Sequence, residues 1–201
     1  MSIREQLLVE HSRANSDRVA AYVLSWTDNL KIGLEQHGGP AGKQPRQQAK
    51  AISNQRLVEL MACFFSDEVL VAQRAAHVVG LLGREDPQLL VPWWDELVQS
   101  AANPIHDAIR RNAIRYFSEQ PEPLPKKLET RLIKLCGQFV ADEKYSIAVG
   151  AFAMQFIADR ATEYPHAAQK LCRDLRRRMD AASPGFRNRA EKILVKLTEF
   201  K

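Results

Sequence analysis

The sequence predicts an all-α fold, a right-handed superhelix of about four stacked helix pairs (an α-solenoid) behind an N-terminal helical cap. Three observations carry this expectation. Apolar residues recur at three- and four-residue spacing along most of the 201 residues. Ser-Pro, Asn-Pro and Asp-Pro steps punctuate that pattern, and Pro is suited to the first helical position because its missing N–H would be unpaired there anyway. A similar helical segment then returns at a period of roughly 40 residues, the mark of helix pairs that bury their apolar faces only against neighbouring pairs. Composition agrees, since 45% hydrophobic and 26% charged residues describe a folded chain rather than a disordered one.

The elements follow in order. MSIREQLLVEHSR alternates charge with Leu and Val and reads as a short amphipathic helix, with no apolar core of signal-peptide length. Ser16 caps a helix carrying Val19, Tyr22, Val23 and Trp26. Together these form a cap over 1–36. HGGPAGKQPRQQ within 37–48 holds no apolar period and reads as a flexible loop. Residues 49–201 form the repeat array, in one domain overall. Leu57, Leu60, Met61 and Phe64 mark a helix, and Ser66-Asp67-Glu68 opens the next, with Ala72, Ala75, Ala76, Val79 and Leu82 on one face and Gly83 ending it. Asp86-Pro87 caps a helix with Leu90, Trp93, Trp94, Leu97 and Ala101, and Asn103-Pro104 caps one with Ala108, Ile109, Ala113, Tyr116 and Phe117. PEPLP separates these from Leu128, Leu132, Leu135, Cys136 and Phe139. Ala148 to Ile157 and Ala168 to Met179 give two further helices, and Ser183-Pro184 opens the last.

Aligning QRAAHVVGLL, RRNAIRYFSE, AFAMQFIADR and NRAEKILVKL puts Ala76, Ala113, Ala153 and Ala190 at one position, 37, 40 and 37 residues apart, with Arg74, Arg111 and Arg189 just before it. A small residue there lets the neighbouring helix approach closely. The pattern resembles HEAT repeats over about residues 55 to 198, and the whole chain resembles small HEAT-type proteins of bacteria. The resemblance implies a concave surface lined by the second helix of each pair, the customary docking face of such arrays, and so a protein-binding scaffold rather than an enzyme.

Functional candidates are weighed against that expectation. Trp93-Trp94-Asp95 is similar to the Trp-Trp-Asp segment of HEAT-like alkylpurine DNA glycosylases, whose catalytic Asp lies one helical turn beyond the second Trp. Here that position is Val98, and Glu96 is two residues on, off the face of Trp94. The glycosylase likeness therefore lacks its catalytic group, and the Trp pair reads mainly as packing, with one ring edge left for a partner. For a protein-binding surface the residues are Arg74, Trp94, Arg110, Arg111 and Arg115, arginines being suited to carboxylate recognition. The alternative is nucleic-acid binding, DNA more than RNA. The net charge of +5 is concentrated after Pro165, where ten Lys or Arg face four Asp or Glu. Arg173, Arg176, Arg177, Arg187, Arg189 and Lys192 would carry it. The three Cys and five His are scattered, with no metal spacing, and no cofactor motif occurs. No apolar run has membrane length. A cytoplasmic protein with buried thiols is expected.

Overall fold

The computed structural model describes residues 1–36, 55–120 and 123–200, and for 26–36 the backbone alone. All regular structure among the described residues is helical. The segment 37–48, expected as a flexible loop, lies outside them.

The chain divides into two compact units, Met1–Leu89 and Leu90–Lys201. In the first, α1 (Ile3–Val9) starts with a capping box between Ser2 and Glu5. The second helix, α2 (Arg13–Gln36), begins four residues earlier than expected. Ser12, not Ser16, supplies the cap, its hydroxyl accepting from the Asn15 N–H, while Ser16 sits inside the helix and bonds back to the Ser12 carbonyl. Then come α3 (55–64) and α4 (Val69–Glu85), with Leu57, Leu60, Met61, Phe64, Ala72, Ala75, Ala76 and Leu82 buried. Gly83 does not end α4. No glycine among the described residues takes the left-handed φ of a glycine C-cap, and the helix runs on to Glu85. Asn15 of α2 donates to the Gln6 carbonyl, and three longer-range contacts fasten α1 to α3 and α4: Glu59 accepts from the Ile3 N–H at 2.7 Å, Arg4 pairs with Glu68, and Arg74 donates to the Leu7 carbonyl at 2.8 Å.

The expected single helix over 87–101 is two elements. A 3-10 segment covers Pro87–Trp93 and α5 starts afresh at Trp94, ending at Ala102. Pro92 is the cause: it has no N–H to donate and its ring crowds the carbonyl four residues back, so an α-helix cannot pass through it. The next start is also displaced. Asn103-Pro104 lies outside α6 (Asp107–Glu119), whose cap is His106, with Nδ1 accepting from the Ala108 N–H at 3.1 Å.

The second unit continues with α7 (Lys126–Ala141), α8 (Ile147–Ala158), α9 (Pro165–Met179) and α10 (Pro184–Lys196). Ser146 and Ser183 cap α8 and α10 through their hydroxyls, and Pro184 occupies the first turn of α10 as expected. Packing follows two rules. Consecutive helices pair, α5 with α6, α7 with α8 and α9 with α10. Equivalent helices then stack, α5 on α7 on α9 in one layer and α6 on α8 on α10 in the other. Ala113, Ala153 and Ala190, one on each helix of the second layer, are each buried. This neighbour-only arrangement is that of an α-solenoid.

Two buried polar clusters lock the pairs. Glu129 on α7, its side chain 9% exposed, accepts from Arg160 Nε at 2.7 Å and from the Tyr164 hydroxyl at 3.0 Å. Arg110 donates to the Ala101 and Ala102 carbonyls, so it caps the C-terminus of α5 with a cation where the helix dipole favours one. Its guanidinium also stacks on Phe139 and Tyr145.

Candidate functional site

The second-helix layer of the second unit is the face the sequence singled out. On α6 the packing set is Ala108, Ile109, Asn112, Ala113, Ile114, Tyr116 and Phe117, which leaves Arg111 and Arg115 one turn apart on the outside. On α8 nearly everything is apolar: Ile147 is exposed, Ala148, Ala151, Phe152 and Gln155 are uncovered in part, and exposed Asp159 follows as the C-cap. On α10 Arg189, Lys192 and Lys196 remain.

Cross-helix contacts fix the register. The Arg115 guanidinium lies over the Phe152 ring at 5.5 Å while its Nε bonds Glu119 at 2.9 Å. Arg189 donates to Gln155 at 2.7 Å, and Lys196 pairs with Asp159. Arg115 and Phe152 are 37 residues apart, as are Asp159 and Lys196. The same offset places Arg111 level with Ala148. Among the described residues Arg111 and Lys192 make no hydrogen bond or ion pair. The result is a patch with one unpaired guanidinium, a second stacked on an aromatic ring, and small apolar residues beside them.

The other expected surface residues are placed elsewhere. Arg74 belongs to the first unit, where it is half-buried and spends its Nη1 on the Leu7 carbonyl. Arg110, with its side chain 15% exposed, is occupied as the α5 cap. Trp94 is half-buried on the first-helix layer, and its Nε1 donates to the Tyr116 hydroxyl at 2.9 Å. Trp93, at the N-cap position of α5, is half-buried too. The glycosylase-type position is apolar core: Val98 is 3% exposed and Leu97 is fully buried. Asp95 turns outward and pairs with Arg131 at 2.5 Å.

The basic residues expected to meet nucleic acid divide between the layers. Arg173, Arg176 and Arg177 are exposed on α9, in the first-helix layer. Arg187, Arg189 and Lys192 are on α10, where Arg187 bonds the Ala182 carbonyl and Arg189 bonds Gln155. Arg178, beside them in sequence, turns inward to cap α7 at the Val140 carbonyl and stacks on Phe186. It lines a cleft of about 200 Å³ with Phe139, Tyr145, Ile147, Ser183 and Phe186. The Ser146 and Ser183 hydroxyls at that cleft are already used by their own helix N-termini.

Phe152 is the residue sequence reasoning missed. In the helix expected from Ala148 to Ile157 it falls at core spacing with Ala148 and Phe156, yet it is only half-buried. The signal was available in the repeat offset, which sets it beside Arg115.

Among the described residues no group of three His, Cys, Asp or Glu is placed to hold a metal ion. No helix among them is long and apolar enough to cross a membrane. Cys63, Cys136 and Cys172 are buried in α3, α7 and α9.

A family model of the HEAT repeat domain matches residues 45–197, about three quarters of the chain. The chain belongs to the HEAT repeat family. No curated protein and no solved structure matches it significantly. The HEAT assignment agrees with the alternating helix layers and with the Ala position that repeats along the second helices.

Proposed function

We propose that this HEAT repeat protein is a protein-binding scaffold and that its partner docks on the second-helix layer around Arg111, Arg115 and Phe152. The observation that carries the reading is the patch itself. An unpaired guanidinium beside an arginine stacked on a half-exposed ring combines residue types that are enriched at protein interfaces. The surrounding Ala148 and Ala151 keep the surface low enough for a partner side chain to reach the ring. Arg111 calls for a carboxylate in that partner, and Phe152 for an apolar contact next to it.

A photo-crosslinking residue at position 111 tests this in cells. The captured protein is identified, purified and titrated against the wild type and against Arg111→Glu and Phe152→Ala. Each substitution is expected to weaken binding at least tenfold with the far-ultraviolet circular dichroism unchanged. Capture of no protein, or affinity indifferent to both changes, overturns the reading.

A further inference from the structure

We infer that the opposite layer carries a second, chemically different surface: the outer face of α7 and α9 docks the phosphate backbone of duplex nucleic acid. The basic residues that sequence alone assigned to α9 and α10 do not form one cluster. The structure instead joins the α9 arginines to lysines of α7.

The register of these two helices is fixed at three levels. Lys126 pairs with Glu163 at their N-terminal ends, Glu129 accepts from the Tyr164 hydroxyl one turn in, and Arg177 donates to the Ala141 carbonyl at the far end. The helices are therefore parallel and level. On α7 the residues turned away from the core are Lys127, Thr130, Arg131, Lys134 and Gln138, one stripe at three- and four-residue spacing. On α9 the corresponding stripe is Gln169, Arg173 and Arg176, flanked by Lys170 and Arg177. Neighbouring packed helices lie about 8–10 Å apart, so two rows of cations run side by side.

Much of the charge is unspent. Lys126 is held by Glu163, Arg131 by Asp95, and Lys170 by Asp174. Lys127, Lys134, Arg173 and Arg176 make no ion pair or hydrogen bond among the described residues. These four come from both helices and define the surface.

The occupant follows from what accompanies the charge. None of the exposed large apolar side chains among the described residues is on α7 or α9, and the exposed residues that accompany the cations include Thr130, Gln138, His166 and Gln169. A protein partner needs a desolvated apolar or aromatic centre, which this face lacks and the Phe152 face has. A polyanion needs only positive charge at intervals, with polar groups to hydrogen-bond phosphate oxygens. The stripes hold no aromatic ring on which single-stranded bases could stack, so a duplex fits better than a single strand.

The test uses fluorescence anisotropy with the full chain and a labelled 20-base-pair DNA duplex, at 50 and 200 mM salt. Four neutralised phosphates give a salt slope near −3.6, so affinity is expected to fall roughly 150-fold across that range. The variant carrying Lys127→Ala, Lys134→Ala, Arg173→Ala and Arg176→Ala is expected to lose at least tenfold affinity at 50 mM while melting as the wild type does. If that variant folds poorly, the charge reversals Lys134→Glu and Arg176→Glu, made singly, are each expected to weaken binding threefold or more. Absence of wild-type binding at 50 mM overturns the proposal. Affinity unchanged in the folded variants, or polyglutamate competing as well as the duplex per unit charge, overturns it equally. Arg111→Glu separates the two surfaces, since it disables the protein-docking patch and is expected to shift duplex binding by less than twofold.

Discussion

Replacing Glu129 by Ala removes the acceptor for two half-buried donors at once. Arg160 Nε and the Tyr164 hydroxyl both point at this carboxylate, and the Arg160 side chain is only 13% exposed. Its remaining contacts, a long bond to the Phe156 carbonyl and the Phe156 ring 3.8 Å below it, do not neutralise its charge. Removing one partner of a buried ion pair costs about 3–5 kcal/mol, chiefly because the other charge is left uncompensated. For a chain of this size each kcal/mol lowers the melting temperature by roughly 2–4 °C, so Glu129→Ala is expected to melt roughly 6–20 °C below the wild type by circular dichroism. Glu129→Gln keeps an acceptor without the charge and is expected to fall between the two. The informative comparison is the double variant Glu129→Leu with Arg160→Leu. With no stranded guanidinium and with apolar volume restored, it is expected to recover more than half of the loss. A single variant melting within 2 °C of wild type, or a double variant as unstable as the single one, refutes the reasoning.

Other expectations can be checked by similar means. Arg110→Met leaves the Ala101 and Ala102 carbonyls without their cation and is expected to cost about 2–3 kcal/mol in urea unfolding, and Arg110→Lys is expected to restore little, because a point charge cannot reproduce the fork. Ala153→Leu forces volume into the α6–α8–α10 seam and is expected to cost about 1–3 kcal/mol, whereas a leucine at exposed Lys134 is expected to cost under about 0.5 kcal/mol. Trp94→Phe removes the donor to Tyr116 and is expected to lower stability by about 1 kcal/mol without changing the helical signal. Burial raises the Cys136 thiol above its ordinary range, and burial together with Glu59 raises Cys63. In the alkaline range above about 8.5 the unfolded chain sheds thiol protons that the folded chain keeps, so stability is expected to fall as pH rises there. Cys136→Ala is expected to flatten that slope in urea midpoints measured from pH 7.5 to 10.

The helix pairs were legible because each repeat must bury one face, and that demand writes a helical period into residues such as Leu128, Leu132 and Phe139. The Ala113, Ala153 and Ala190 series was legible for a related reason, since close stacking leaves no room for a larger side chain at that point. Starts were harder. Ser183-Pro184 marks a true cap, but Asn103-Pro104 lies upstream of the real one, because an imidazole nitrogen can accept the same hydrogen bond and His106 does so. The two candidate faces were the least legible. Whether an arginine is available depends on what its neighbouring helix offers: Arg74 and Arg110 find carbonyls, whereas Arg111 finds none. Lys127 and Lys134 were passed over because they are distant in sequence from the α9 arginines, and only the parallel register of α7 and α9 makes them neighbours.

The fastening of α1 bears on how the chain folds as it is made. Within the second unit the polar contacts between helices of successive pairs join residues 31 to 39 apart, so each pair has its partner soon after it emerges. The first helix is different. Ile3, Arg4 and Leu7 wait for Glu59, Glu68 and Arg74, which follow 56, 64 and 67 residues later. A seven-residue helix is too short to persist alone in water. The first helix can therefore rest on α2 early, where Asn15 donates to the Gln6 carbonyl, but its fastenings to α3 and α4 close only once residues 59 to 74 have been made. A nascent chain that ends before residue 59 is expected to hold this helix through α2 alone, without the three long-range fastenings.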